Sequence, residues 1–354
     1  MILLADLIDR YSSDLERNHR HELLPSHYRA LQAMRRCRNQ HSPVMVLECN
    51  GCQHQAILPH SCGHRSCPHC QQHESQQWLQ RQKAKLLPVD YFMVTFTVPA
   101  QLRGLFWAHQ RIAYDLLLKT AWQTIDSFSR RDPHMRGRSG AHAVLHTHER
   151  NLNYHPHVHL IVPAGALDER TRQWRQKQRK QKVLFWAKTL SRVFRAKWFE
   201  GMRLAGLHCP ETLPDEWVVH CKKVGRGKQA LIYLGRYLYR GVLPEKNIIA
   251  DCGGNVSFCY QNNQGRRQVR TMAGGEFLWL LLRHVLPRRF RRVRDFGLLH
   301  ANAKRLVQLL QLTLQMRVAP PDPLPSRPPV LCERCGQVMS ILARMVEPGH
   351  HRLC

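Results

Sequence analysis

The run Tyr154-His155-Pro156-His157-Val158-His159-Leu160-Ile161-Val162 constrains the fold of this chain more than any other stretch. Its apolar, β-branched flank predicts a strand, and alternate residues of a strand share one face. His157 and His159 then stand side by side, roughly 6.6 Å apart along the backbone, while Val158 points to a core. Two imidazoles so placed can converge on one metal ion. Alternating histidines are ordinarily satisfied core or surface residues, but His142, His146 and His148 precede this pair and His155 can share its face. The third ligand stays open among His155, His146, His148 and a distant carboxylate.

Downstream, Gln229-Ala230-Leu231-Ile232-Tyr233-Leu234-Gly235-Arg236-Tyr237-Leu238-Tyr239-Arg240 reads as a helix. At about 100° per residue, Leu231, Leu234 and Leu238 form one stripe. Tyr233 and Tyr237 fall on the opposite side, beside Arg236 and Arg240. Tyrosine on a helix ordinarily packs into a core, yet these two face away from the apolar stripe. Arginine neutralises phosphate oxygens bidentately, so hydroxyls shown beside it are well placed to meet a phosphodiester. A phenol is a poor nucleophile at neutral pH, and metal polarisation of the phosphate compensates for that.

Composition points the same way. The chain has 354 residues, with 54 Lys+Arg against 25 Asp+Glu, a net charge of +29, and 23 His. Such an excess implies a polyanionic partner, and its field draws in nucleic acid without sequence preference. An anionic membrane is the competing partner, but the basic residues are spread along the chain and not gathered beside an amphipathic anchor. The start, Met1-Ile2-Leu3-Leu4-Ala5-Asp6, lacks a basic region and meets acids at Asp6 and Asp9, so it does not read as a signal peptide. The apolar run Phe277–Leu282 is far below the ~20 residues that span a bilayer. Thirteen Cys without an export signal suggest reduced thiols serving as metal ligands. A cytoplasmic, nucleoid-associated protein with no membrane partner is expected.

The cysteines cluster. Cys49-x2-Cys52 and Cys67-x2-Cys70 form two knuckles whose four thiolates suit tetrahedral zinc better than they suit unliganded buried Cys. Cys37, His41, Cys62 and His64 are candidates for a second zinc. Zinc would staple a segment too small to hold its own core. Cys332-x2-Cys335 precedes His350, His351 and Cys354, which reads either as one more zinc site or as a disordered tail.

These textures divide the chain. Residues 1–36 form an N-terminal helical segment, and 37–87 the zinc-binding domain, with helix from Gln71 to Leu87. Residues 88–317 hold strands at Val89–Val98, Ala141–Thr147, the His157 segment and Trp217–Cys221, plus a hairpin flanking Asn262-Asn263-Gln264-Gly265. Helices are expected near 102–129, 168–204, 275–286 and 299–317. The stretch 318–330, with six prolines, reads as a stiff linker, and 331–354 as a small separate Cys/His tail. The cluster Arg288, Arg289, Arg291 and Arg292, continued by Arg294, has few acids nearby, so contact with a DNA backbone is a better reading than a solvated face. The basic segment after Arg170 mixes charge with Trp174, Phe185, Trp186 and Trp198, a combination used to stack single-stranded bases, although most of those rings suit a core.

Together these motifs resemble the rolling-circle transposases of the insertion sequence 91 family, within the HUH endonuclease superfamily. The similarity spans nearly the whole chain. It runs from Ser61-Cys62-Gly63-His64-Arg65-Ser66-Cys67-Pro68-His69-Cys70 through Leu145-His146-Thr147 and Asn151–His159. It continues through Trp217–His220, Tyr233–Arg240 and His284-Val285-Leu286-Pro287 to Phe296-Gly297-Leu298-Leu299. His148-Glu149-Arg150 departs from the Trp-Gly-Gln run usual at that place. The resemblance implies an α+β fold: an HUH nuclease-like antiparallel sheet with flanking helices, carrying the paired His on a central strand, preceded by a small zinc-binding domain. It implies Mg or Mn as catalytic ion, structural Zn, and single-stranded DNA at the element's ends as substrate. Tyr233 and Tyr237 both match the two-tyrosine motif, which implies a 5′-phosphotyrosine intermediate in cleavage and rejoining. A replication initiator or plasmid relaxase would share that chemistry. A zinc-dependent DNA-binding module would never become covalently attached to DNA, and a hydrolase using water would cut without retaining its product.

Overall fold

The computed structural model describes residues 2–38, 42–70, 72–178, 180–209, 212–239, 242–262, 264–316, 329–347 and 350–353. Helix α1 (Leu4–His19) buries Leu4, Leu7, Ile8, Tyr11 and Leu15, the three-and-four spacing of one apolar stripe. Pro25 opens α2 (Pro25–Arg35) from the first turn, where its missing N–H costs nothing. The hairpin β1 (Val44–Cys49) and β2 (Gln55–Pro59) follows, then α3 (Gln72–Lys83). Strand β3 (Tyr91–Thr97) leads through α4 (Arg103–Ala108) into the long α5 (Gln110–Arg131). Strands β4 (Gly140–His148) and β5 (Tyr154–Pro163) are joined by a short turn, and β6 (Gly165–Leu167) pairs with β7 (Trp174–Gln176). Next come α6 (Ala187–Leu204), β8 (Val219–Lys223) and α7 (Lys228–Tyr239). A small sheet of β9 (Ile248–Cys252), β10 (Asn255–Gln261) and β11 (Arg267–Ala273) precedes α8 (Gly274–Leu282). Finally β12 (Val293–Gly297), α9 (Lys304–Thr313), β13 (Met339–Glu347) and β14 (His350–Leu353) complete the chain.

The main sheet has the order β12-β4-β5-β3-β8, with every neighbour antiparallel. Both its faces are covered by helices, so its central strands are buried on both sides. Phe92, Val94, Phe96, Val158, Leu160 and Val162 pack on one side against Tyr114, Leu117, Phe194 and Trp198 of α5 and α6. Tyr91, Val144 and Ile161 pack on the other against Trp78, Leu231, Leu234 and Leu310 of α3, α7 and α9. A separate core joins α1 and α2 to α8 and the β9–β11 sheet, through Ile8, Met34, Phe258 and Phe277. The fold is thus α+β, with antiparallel sheets and flanking helices.

Four expectations need correction. The basic segment 168–204 is helical only from Ala187, because Leu167 and Trp174 pair as β6 and β7 first. The arginine-rich stretch contributes an edge strand: Val293–Gly297 pairs with Val144–Gly140. Its high charge masked the period-two pattern. Residues 331–354 are not a separate module, since Met339–Met345 pairs with Cys49–Val44. The N-terminal helices are not a segment apart, since they share their core with α8, and the Tyr11 hydroxyl donates to Asp251 of β9, 240 residues downstream. The proline-rich stretch falls mostly outside the described residues.

Gly297 fixes where the edge strand ends. Its φ is +58°, and an added Cβ would lie 2.1 Å from the Ser139 carbonyl oxygen. That oxygen also accepts from the Leu298 N–H at 3.0 Å, so the backbone cannot retreat without losing a bond. Gly297→Ala should therefore destabilise the protein by ~2–4 kcal/mol, read as a shift in the denaturant midpoint. An unchanged midpoint would show that β12 does not need this approach.

Candidate metal centre and tyrosine helix

The period of two along β5 sends Val158, Leu160 and Val162 into the α5/α6 core and leaves His157, His159 and Ile161 on the face covered by α7. Register then selects their companion. His146 of β4 lies directly opposite His157, and Val144 opposite His159. The ring of His146 is 5.1 Å from that of His157 and 4.3 Å from that of His159. One nitrogen from each of the three lies within 4.8 Å of the other two. The remaining candidates are engaged elsewhere. His155 Nδ1 accepts from the Arg103 guanidinium at 3.0 Å and lies 3.4 Å from Glu149. His148 packs against His284, 5.0 Å between rings, and His284 donates to the Leu152 carbonyl at 2.8 Å.

Outer partners orient the cluster. His157 Nδ1 donates to the His155 carbonyl at 2.8 Å, which fixes the tautomer with a lone pair on Nε2. Thr95 lies opposite His159 in β3 and its hydroxyl meets His159 Nδ1 at 2.8 Å. Burial, with neighbouring imidazoles and Arg292 adding repulsion, pushes His146 well below the ordinary histidine range. Burial likewise holds His157 at about 4 and His159, aided by His157, at about 3. All three are neutral at physiological pH, the form that binds metal. Neutral imidazoles with outer hydrogen bonds fit a divalent ion.

Tyr233 stands beside this cluster. Its ring lies 6.5 Å from that of His159, edge to face, and it is 52% exposed while Leu231 and Leu234 of the same helix are buried. Helix α7 is held against α3, where the Ser75 hydroxyl donates to the Gly235 carbonyl at 3.0 Å. The second tyrosine, Tyr237, and Arg236 continue α7, but their side chains lie outside the described residues, as does Arg240. Arg288, Arg289 and Arg291 are exposed, and Arg292 is half-buried near the histidines, whose protonation its charge opposes. Sequence reasoning missed Thr95, which only register reveals, and left His146 as one of several choices.

The cysteines group differently from the expected pairs. Cys37, Cys62, Cys67 and Cys70 form one cluster, with Sγ separations of 3.5 to 3.7 Å. Cys49 and Cys52 form no part of it. They cap the far end of the β1–β2 hairpin, whose base pairs Val44 with Pro59. Five residues of strand, roughly 17 Å, separate that tip from the base of the hairpin. Cys49 and Cys52 instead meet Cys332 and Cys335. His64 turns to accept from the Ser66 N–H at 3.2 Å, and His41 lies outside the described residues. Four thiol sulfurs about one point suit tetrahedral zinc. Among the described residues no helix is long and apolar enough to cross a membrane.

The sequence matches known families. A family profile described as a transposase zinc-binding domain matches residues 7–98, and one described as a putative transposase matches residues 140–306. A putative transposase, y4qJ, of Sinorhizobium fredii is 30% identical over 350 residues, covering 92% of this chain and 87% of the relative. The transposase for insertion sequence element IS801 of Pseudomonas savastanoi pv. phaseolicola is 29% identical over 302 residues, covering 78% and 70%. Among solved structures, the conjugative relaxase TrwC in complex with oriT DNA aligns at 10% identity and a TM-score of 0.27, over 64% of this chain and 73% of that one. With its zinc-binding segment, its transposase region and a relative matched almost end to end, the chain belongs to the insertion sequence 91 family of transposases.

Proposed function

We propose that this transposase cleaves and rejoins single-stranded DNA through a tyrosine nucleophile, in rolling-circle-type transposition. The observation that carries the reading is the Tyr233 ring standing 6.5 Å from His159, at the edge of three converging, neutral imidazoles. The Tyr233 hydroxyl attacks the scissile phosphorus and its proton is lost. The bond to the 3′ oxygen breaks, that oxygen gains a proton, and the 5′ phosphate stays on the tyrosine. Because the phosphodiester energy is conserved in the phosphotyrosine, rejoining to a 3′-hydroxyl needs no nucleotide cofactor. Tyr237, one turn on and ~6 Å along the axis, takes the reciprocal strand in alternation.

His146, His157 and His159 would hold a divalent Mg or Mn ion, which would polarise a phosphate oxygen and offset the weakness of a phenol nucleophile. Imidazole donors favour Mn over Mg. Thr95 and the His155 carbonyl keep the rings aimed. Arg236, Arg240, Arg288, Arg289, Arg291 and Arg292 neutralise phosphates of the DNA backbone. Cys37, Cys62, Cys67 and Cys70 would hold a structural zinc beside the core shared by α1, α2 and α8.

Incubated with Mn and an oligonucleotide spanning the element's end, the protein should form an adduct that survives a denaturing gel. Changing both Tyr233 and Tyr237 to Phe should abolish it and leave DNA binding nearly intact. Each single change should permit a first cleavage and block the complete transfer cycle. Normal transfer by either single variant would leave only one tyrosine as nucleophile, and an adduct in the double variant would defeat the assignment altogether.

The metal centre has its own test. His146→Ala, like the pair His157→Ala and His159→Ala, should abolish Mn-dependent cleavage without loss of zinc or of the folding transition. Thr95→Val should weaken Mn affinity roughly 10- to 100-fold, as loss of an outer partner does elsewhere. Titration calorimetry with Mn and elemental analysis separate the outcomes. Zinc lost from the histidine variants would mean that the cluster is structural.

A further inference from the structure

Cys332 and Cys335 fall outside the matched zinc-binding region, which ends at residue 98, yet they meet Cys49 and Cys52 across 280 to 286 residues of chain. We infer that Cys49, Cys52, Cys332 and Cys335 form a second structural zinc site, one that fastens the C-terminal tail onto the N-terminal hairpin.

Distances come first. The Cys49 and Cys335 sulfurs are 3.3 Å apart, and those of Cys52 and Cys332 3.7 Å. All four lie within 4.8 Å of one another and none is in a disulfide. A tetrahedron with Zn–S bonds of ~2.3 Å has sulfurs about 3.8 Å apart.

The backbone on the two sides is built alike. In one turn the Gln53 N–H donates to the Cys49 carbonyl at 3.1 Å, and the Cys49 N–H to the His54 carbonyl at 2.9 Å. In the other, Gly336 donates to Cys332 at 2.9 Å, and Cys332 to Gln337 at 2.8 Å. The residue after each second cysteine takes a left-handed conformation, φ +57° at Gln53 and +71° at Gly336. A non-glycine residue seldom adopts that region unless its surroundings hold it there. The Gly51 N–H also points at the Cys49 sulfur, 3.4 Å away, as a donor toward a thiolate would. Two knuckles of one design thus face each other, one at the tip of the β1–β2 hairpin and the other between the Leu331–Val338 bridge and β13.

The apolar contacts there are too few to hold the tail unaided. Among the described residues the buried members of the local core are Leu47, Cys49, Cys332 and Met339, two of them cysteines, with only Ala56, Leu58 and Val330 packed partly buried against them. So small a core cannot offset the ordering of a segment brought back over so long a stretch of chain. Metal ligation supplies what burial does not. The tail then extends the hairpin into a sheet of order β14-β13-β1-β2.

The test counts zinc and reads thiols in the full-length protein. Elemental analysis should find two zinc ions per chain. Cys332→Ser with Cys335→Ser should retain one, Cys49→Ser with Cys52→Ser should retain one, and all four changes together should still retain one. Two ions in the Cys332/Cys335 variant, or none in the fourfold variant, would overturn the site. A measurement on the unaltered protein guards against misfolded variants. Cys52 and Cys335 are exposed, as are Cys209 and Cys252. Only ligation should protect the first two from an alkylating reagent. Mass spectrometry should find Cys209 and Cys252 labelled at once. Cys49, Cys52, Cys332 and Cys335 should become labelled together when a chelator removes zinc. Prompt labelling of Cys335 in the zinc-loaded protein would refute the proposal.

Discussion

Antiparallel pairing of β4, β5 and β3 in one register is the constraint on which the centre depends. Because side chains alternate with period two, one register decides simultaneously that Val158 and Leu160 enter the α5/α6 core and that His157 and His159 face α7. The same pairing sets His146 opposite His157 and Thr95 opposite His159. A slip by one residue would bury the imidazoles among Phe96, Tyr114 and Phe194 and expose the valine. The apolar side of the strand therefore holds the polar side in place, and the convergence of the three imidazoles is a by-product of core packing. The bulge between His146 and His148 releases the chain from this register just beyond the third histidine, letting His148 turn toward His284.

Electrostatics complements that geometry. In a chain of net charge +29, a cluster of imidazoles beside Arg292 would be costly if protonated. Burial and mutual repulsion keep the rings neutral, so the centre presents lone pairs in a positive field. The same field attracts DNA, the polyanion that a transposase meets. Ligand basicity and substrate attraction, which would compete if the histidines were charged, act together here. The acids nearby are engaged structurally: Asp295 bridges His142 and Lys85, and Asp115 pairs with Arg294. Among the described residues, the group that converges beside Tyr233 is then three imidazoles.

Local patterns made the strand, the tyrosine helix and the knuckles legible in the sequence, because each is written in neighbouring residues. The His157 strand announces itself by β-branched alternation, and Tyr233 by its place opposite Leu231 and Leu234. What stayed hidden depends on long-range pairing. Nothing near His146 distinguishes it from His148 or His155 until β4 is laid against β5. The edge strand Val293–Gly297 carries an arginine, an aspartate and a glycine among its five residues, so its pattern reads as a charged loop. The cysteines show the same limit most sharply. Spacing identifies a two-cysteine knuckle but not its partner, and proximity in sequence favoured Cys67 and Cys70 for Cys49 and Cys52, whereas the fold sets the two pairs in different clusters.

That last exchange bears on how the chain ends are organised. Residues 37–70 supply six cysteines, of which four close on one another and two are left at a hairpin tip. A tip carrying two unliganded thiols would be a reactive, poorly packed end on an otherwise basic surface. The tail completes the set of four and adds β13 as a third strand beside β1, covering an edge that would otherwise offer its N–H and C=O groups to another chain. Ligation and strand addition support each other, since β13 begins at Met339, only four residues after Cys335, and pairs first with Cys49 itself. Zinc in this chain would then serve two scales: one ion folds a short segment locally, and the other makes the first and last parts of the sequence a single sheet.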